Sequence, residues 1–561
     1  VEIRMGSPDW MLPKALYDQA VRDLRQAVAN ASPGESVRRG QLVLGRLLSR
    51  GGQASEAVEI WSALQGAEKL APLDARLYAL SLVAAGKDED AAKQLADMVL
   101  QDKAEDDIRN LLLEELLKLD RGDAAVRVAM SWQERAAKER DPKALAALGR
   151  ALTACRKAKQ YAPALKLLDR LMEEEDAEEA LAWFRAGKVE FLHLAGKDAE
   201  ALQAAEGWLT GTGGQPRTML LLTGALIEGK MFAGAHAIFD RAIAKALSTA
   251  GENSPTLTYL RSCKGMLYRG AHDVQAGEPF CREWEKASDQ ARPLARQMLV
   301  EILLEAQQYE KATNLLTDWL KPLATTAPAP APAQEDREAM MAGRPTFSTF
   351  CRQQLVLSLR RQGKLDEAAA KAAEFLASDP SDVQLLMEAS LVQSDLGKPQ
   401  QATKSLEKAL QLIPDSGSLA NNLGYQYAET GVNLARAEEL IRQALAERPA
   451  AHVEDSLGWV LYKQGRLREA GALFQKLLLR IAAETMDQSC VVYDHAGDVY
   501  YRLGWKDLAA ATWAKALELA DLDKKSITEV RTTKAAAARK LATLKSSAPV
   551  VVAPLGEGVK E

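Results

Sequence analysis

Residues 421–431 read NNLGYQYAETG, residues 454–470 read EDSLGWVLYKQGRLREA, and residues 493–504 read YDHAGDVYYRLG. Each stretch carries a Leu-Gly or Ala-Gly pair, an aromatic or aliphatic residue three positions after that glycine, and a second glycine further on. Gly363, Gly397, Gly431 and Gly465 fall at intervals of 34 residues, and Gly504 follows after 39. A small residue succeeds each glycine by five or six positions, at Ala368, Ala402, Ala437, Ala470 and Ala509. Proline closes three of the units, at Pro380, Pro414 and Pro449. A unit therefore predicts a first helix A, a glycine-containing turn, a second helix B, and a proline that stops helix B.

The side chains fit a hairpin core. Leu423-Gly424, Leu457-Gly458 and Ala496-Gly497 are followed by Tyr427, Leu461 and Tyr500, one stripe at helical spacing. The answering stripe on helix B is Ala437 with Ile441 and Ala444, Ala470 with Phe474 and Leu477, and Ala509 with Trp513 and Ala516. This pattern resembles the tetratricopeptide (TPR) signature, which implies an all-α, TPR-type helical-hairpin solenoid wound as a right-handed superhelix. Upstream the pattern loosens. It persists in Leu44-Gly45 with Gly52, Ala57 and Trp61, and in Gly86 with Ala91, Leu95 and Met98. Tyr161 with Ala164 and Leu168, Gly196 with Ala201, Phe232 with Ala235 and Phe239, and Tyr309 with Ala312 and Leu316 continue it, for about a dozen repeats.

A chain of 561 residues exceeds the size of one compact core, and the repeats resolve it as an array. The expected organisation is an N-terminal segment with a capping helix at 1–35, introduced by Ser7-Pro8-Asp9, then a degenerate TPR-like array at 36–326. An Ala/Pro-rich linker or loop follows at 327–345, then five regular repeats at 346–523, a basic capping helix at 524–545 and a disordered tail at 546–561. The apolar Val550-Val551-Val552 within that tail carries no further signal. The capping helix bears Arg531, Lys534, Arg539, Lys540 and Lys545. They read either as a solvated face or as a surface for an acidic partner or anionic lipid. The acidic run Glu173 to Glu179 reads as a solvated connection.

Composition narrows function. Seventy-two basic and 77 acidic residues, interspersed, give a net charge of -5, which calls for no nucleic-acid partner. No stretch of about 18 apolar residues predicts a membrane span. Cys155, Cys263, Cys281, Cys351 and Cys490 lack CxxC or metal-ligand spacing and read as buried small hydrophobes. No HExxH, GxSxG, GxGxxG or P-loop pattern occurs. Asp494, His495 and Asp498 place an imidazole between carboxylates, but without a nucleophile or oxyanion donor they read as groove-lining or capping residues. The expectation is a non-enzyme with no cofactor and no metal.

The candidate partner site lies one turn from the Leu-Gly pairs on the A helices. It comprises Asn421, Asn422 and Tyr425, then Asp455, Trp459 and Tyr462, then Asp494, Asp498, Tyr501 and Arg502, with Glu429 and Lys463 beside them. Aromatics anchor interfaces and carboxylates accept from a peptide backbone or basic side chains. Trp459 and Tyr462 are expected as anchors whose removal weakens binding without unfolding the array. The alternative is that Tyr425 and Trp459 pack between neighbouring A helices. The Asn-Asn, Asp-Ser-Leu-Gly-Trp and Asp-His-x-Gly-Asp strings over roughly 350–545 further resemble the C-terminal repeats of bacterial envelope TPR lipoproteins. That resemblance implies an adaptor for a carboxyl-terminal processing protease, periplasmic or lipid-anchored through an N-terminal segment removed before Val1, with the cytoplasm as the alternative. The expected function is a protein-binding scaffold whose partner is a protein or peptide, such as a protease or its substrate; the alternative is a structural subunit of a large assembly.

Overall fold

The computed structural model describes residues 14–30, 34–50, 53–100, 106–138, 144–211, 215–321, 346–484, 489–522, 528–546, 548–556 and 559. The expected linker at 327–345 and the Ser7-Pro8-Asp9 entry lie outside these residues. The chain divides into two compact units, Val1–Ala271 and His272–Glu561. Among the described residues the regular structure is helical, in 28 helices without a strand.

The first unit opens with α1 (Lys14–Asn30) and continues as six hairpins. They pair α2 (Glu35–Arg50) with α3 (Ala54–Ala67), α4 (Pro72–Ala84) with α5 (Asp88–Leu100), and α6 (Asp106–Lys118) with α7 (Gly122–Lys138). Next come α8 (Ala144–Lys157) with α9 (Tyr161–Glu174), α10 (Glu178–Leu194) with α11 (Asp198–Gly211), and α12 (Pro216–Glu228) with α13 (Phe232–Ala250), followed by α14 (Pro255–Gly270). The second unit holds α15 (Val274–Ala287) and the hairpin of α16 (Ala291–Glu305) with α17 (Tyr309–Leu320). Five further hairpins follow: α18 (Phe347–Arg361) with α19 (Leu365–Ser378), α20 (Val383–Asp395) with α21 (Pro399–Leu412), α22 (Gly417–Thr430) with α23 (Leu434–Glu447), α24 (Ala451–Lys463) with α25 (Leu467–Glu484), and α26 (Cys490–Arg502) with α27 (Lys506–Leu522). The last helix is α28 (Thr528–Lys545).

One turn design closes all twelve hairpins. The amide just before each B helix donates back to a carbonyl five residues earlier, as Lys87 to Leu82, Arg121 to Leu116, Lys398 to Gln393 and Trp505 to Tyr500. This is the Schellman closure, which requires a left-handed residue between the two. Glycine supplies it at Gly86, Gly196, Gly363, Gly397, Gly431, Gly465 and Gly504, whereas Asp120, Lys159, Lys230 and Gln307 adopt it with φ of 53 to 60°. The turn after α22 holds a second left-handed residue, Asn433, which explains why Ala437 trails its glycine by six positions.

Each B helix then presents an alanine with no solvent exposure in its first turn, from Ala57 and Ala91 through Ala125 and Ala164 to Ala470 and Ala509. The residue four positions on fills the hairpin, and opposite Trp61, Ile441, Phe474 and Trp513 the facing A helix has glycine. A Cβ on Gly45 would lie 2.9 Å from the Trp61 ring, one on Gly424 would lie 2.6 Å from Ile441, and one on Gly458 would lie 2.6 Å from Phe474. Phe474 has no exposed surface into which to retreat. Gly458→Leu is therefore expected to destabilise its hairpin by about 1–3 kcal/mol, more if the backbones are levered apart. Hydrogen exchange of the α24 and α25 amides measures it; unchanged protection would show that the contact is slack.

Helix starts follow the sequence. Thr346, Asp382, Ser416 and Ser489 each accept a backbone N–H of the helix they precede, and Pro72, Pro216, Pro255 and Pro399 stand in first turns. The five cysteines are buried and none is in a disulfide among the described residues. Burial pushes Cys155 and Cys263 up to about 11, and Cys281 and Cys351 to about 12, which makes them inert.

Candidate functional site

The A helices α22, α24 and α26 carry all ten candidate residues, and the repeat register sets them in line. Helix α24 departs from amphipathic form, with every residue from Asp455 to Lys463 buried. A helix buried all round must be covered on the side away from its own hairpin. The neighbouring A helices α22 and α26 flank it; on this face α28 then covers α26, and the segment that follows it runs over both α26 and α24.

Helix α28 takes the place of a next A helix, packing on α27 and α26, and it fastens there by charge. Lys540 Nζ stands 2.9 Å from both oxygens of Asp494 and 2.5 Å from Asp498 Oδ1, and the lysine is 8% exposed. Burial pushes the Asp494 carboxyl up from its ordinary range, while the Lys540 ammonium pulls against that. Asp498 also accepts from the Trp513 indole at 3.1 Å. Arg531, Lys534 and Arg539 are exposed, as a solvated face requires, so the reading of α28 as uniformly solvated is corrected at Lys540 alone.

On the same A-helix face the aromatics form a column. Tyr462 stacks on Trp459 with ring centroids 4.8 Å apart, and Trp459 stacks on His495 at 3.9 Å. Tyr425 of α22 meets His495 at 6.1 Å. Glu429 accepts from the Trp459 indole at 2.5 Å, and the Lys463 ammonium lies 5.1 Å from the same ring. Burial lowers the Lys463 pKa. His495 Nδ1 lies 3.0 Å from Asp455 Oδ1 and donates to it.

Burial alone would discharge His495, but Asp455, Glu429 and Asp494 together outweigh it and hold the imidazole pKa above its ordinary value. A histidine raised on folding stabilises the protonated fold. Its contribution is complete below about pH 6.5 and is lost as pH rises through the folded value. Protection of the α24 and α26 amides is expected to decline over that window in the wild type and to stay level in His495→Gln; equal pH slopes would remove the histidine from this role.

The second cover is residues 548–556, which run extended across the ends of α26 and α24. Val550 N donates to Tyr501 Oη at 2.9 Å, and Ala553 N donates to Asp498 Oδ2 at 3.0 Å. The Ala553 carbonyl accepts from Tyr462 Oη and from Arg502 Nη2, the latter at 3.1 Å. Gly556 N donates to the Lys463 carbonyl at 2.7 Å. The expectation of disorder over 546–561 is thus corrected for 548–556. Composition predicts a loose tail, but three amides and a carbonyl are bonded and Val550 is buried.

The expectation of an open A-helix face is corrected with it. Asn421, Asp455, Trp459, Tyr462, Asp494 and Asp498 are buried, and Asn422, Tyr425, Tyr501 and Arg502 are half-buried. The structure brings Asp455, Trp459, Tyr462, Asp494, Asp498, Tyr501 and Arg502 into one connected cluster with His495 and Lys540. Asn421 Oδ1 is instead a buried acceptor without a hydrogen bond. Sequence spacing could not single out Lys540, because its partners lie 42 and 46 residues away across a helix stack. Among the described residues no group of three His, Cys, Asp or Glu could hold a metal, and no helix is long and apolar enough to cross a membrane.

No protein-family model matches the chain. A TPR repeat-containing protein of Pseudomonas aeruginosa is similar, 29% identical over 124 residues, covering 22% of this chain and 21% of that relative's length. Among solved structures, the crystal structure of MamA is similar over 28% of this chain and 91% of its own, at 25% identity and a TM-score of 0.23. The Cut9–Hcn1 heterotetramer of the APC/C is similar over 90% of each chain, at 16% identity and a TM-score of 0.33. Twelve Schellman-closed hairpins with a buried alanine at one register make this chain a tetratricopeptide-type repeat protein.

Proposed function

We propose that this TPR-type chain is a non-catalytic scaffold that holds a protein or peptide partner on the A-helix face of α22, α24 and α26. The observation that carries the reading is that this face already receives an extended backbone. Side chains of Tyr501, Asp498, Tyr462 and Arg502 serve as donors and acceptors for main-chain groups at 550 and 553. Recognition of main chain by fixed side chains is how a repeat array grips a peptide. The finer proposal is an adaptor in the bacterial cell envelope that presents a protein to a carboxyl-terminal processing protease. The Asp-Ser-Leu-Gly-Trp and Asp-His-x-Gly-Asp strings are the sequence features that support it.

The test is capture of partners from a bacterial envelope extract, followed by titration of the purified partner with Arg502→Ala and Tyr501→Phe chains. These half-buried side chains touch the bound backbone without forming the aromatic column's centre. Weakening of about tenfold or more is expected, the cost of about 1.4 kcal/mol lost at an interface. A partner that binds both variants as tightly as wild type is held elsewhere on the array, and a chain that purifies only as a fixed subunit of a complex is no adaptor.

A further inference from the structure

The segment after α28 is held the way a ligand is held. Its turn-back starts with Ala548 N donating to the Thr543 carbonyl, a closure that reverses the chain at the end of the helix. From there its bonded amides are at 550, 553 and 556, a period of three. Three residues per turn is the repeat of an extended polyproline-type path, and Pro554 stands inside it. Side chains sort by the same rule: Val550 is 7% exposed, whereas Val551 is 88% exposed. Val552, Ala553 and Leu555 rest against the cluster that contains Trp459, Tyr462 and Trp513.

Its far end fits more tightly still. A Cβ on Gly556 would lie 2.3 Å from Leu434 Cδ1, 3.0 Å from the Lys463 carbonyl and 3.2 Å from the Gly431 carbonyl. Glycine is the residue that passes between those two backbone turns. Val559 then covers Gly465, whose own Cβ position is 2.7 Å from Val559 Cγ1. Across this path the described residues contribute main chain, small aliphatic side chains and one obligatory glycine. The groove thus selects backbone shape and small size at the described positions.

Building on the scaffold reading, we propose that residues 548–556, with Val559, are an intramolecular occupant of the peptide groove. The outside ligand is an extended segment of the same chemistry, an aliphatic residue, then a small residue and proline three positions on, then a glycine at the position of Gly556, which binds by displacing it. The tether to α28 is so short that the occupant's local concentration is on the order of millimolar or above. A free peptide with an intrinsic Kd of about 10 μM would then bind the intact chain about 100-fold more weakly than an emptied groove. The segment is a gate on partner access as well as a copy of the partner's shape.

The test uses a fluorescein-labelled synthetic peptide of residues 546–559 in polarisation titrations. Three chains are compared: wild type, a chain ending at Lys545, and the complete chain with Gly556→Leu, each checked for folding by circular dichroism. The shortened chain is expected to bind at least tenfold more tightly than wild type, and Gly556→Leu to shift binding in the same direction. A peptide carrying the same Gly556→Leu change should bind the shortened chain at least tenfold less tightly than the parent peptide. Equal binding by wild type and both variants, or binding that ignores glycine in the peptide, overturns the proposal. So does a concentration-dependent wild-type dimer that disappears on shortening, since the occupant would then come from a second copy. These results bear on the segment alone: an array that still binds its captured partner through Arg502 and Tyr501 keeps the scaffold reading when the peptide fails.

Discussion

Truncation of Trp459 to alanine is expected to destabilise the last three hairpins by about 3–5 kcal/mol, the range for removing a buried aromatic from a core that cannot close around the gap. Trp459 is 3% exposed and sits between His495 and Tyr462, so its loss opens a slot in the centre of the column. It also leaves Glu429 without its indole donor and Lys463 without the ring beneath it. Because each hairpin of a repeat array leans on its neighbours alone, the damage should be local. Hydrogen exchange should show lost protection in α22 through α28, with the amides of α2 to α13 unchanged. Trp459→Phe retains a ring but not the indole N–H and should cost less. Wild-type protection in Trp459→Ala would mean that the column is not a stability element. The expectation of a binding anchor removable without unfolding is corrected by this burial: a binding loss in Trp459→Ala would follow from a damaged groove and say nothing of contact.

The hairpin is legible in the sequence wherever glycine makes the left-handed turn, because glycine at a fixed interval is a visible mark. It fades at Asp120, Lys159, Lys230 and Gln307, where other residues accept the same backbone and no period of glycines remains. Aromatics at Tyr161, Phe232 and Tyr309 still flag three of those four hairpins. The pair α6 and α7 lacks such a flag, and its signal is the stripe Ala125, Ala129 and Trp132, all buried at helical spacing. The candidate site was legible as a set of residues and not as an environment. Register along the A helices identifies Trp459, Tyr462, Asp494 and Asp498 from local spacing. Their covering depends on a lysine in the next helix and on a segment of valines, proline and glycine. Both are contacts between distant parts of the chain, for which no local period exists.

Lys540→Met is expected to be as costly as the loss of the tryptophan, about 3–5 kcal/mol near pH 7, because it leaves carboxylates buried with no cation. Asp494 and Asp498 are 9% and 1% exposed, and the lysine is the one cation within 4 Å of both in the described residues. Methionine keeps the bulk of the stem, so the loss is of charge and not of packing. The pH dependence separates this cause from a cavity. Burial already raises the Asp494 pKa, and removal of the ammonium raises it further. A carboxyl whose folded pKa lies above its unfolded value binds protons on folding, so the deficit should shrink as pH falls through the folded value. Adding Asp494→Asn to Lys540→Met should recover part of the loss at neutral pH, the non-additivity expected of partners in one network. The readouts are protection of the α26 and α28 amides and binding of the residue 546–559 peptide, since α28 anchors the segment that fills the groove. A deficit independent of pH and additive with Asp494→Asn would show that Lys540 acts by its stem, and that α28 is held on the array by packing alone.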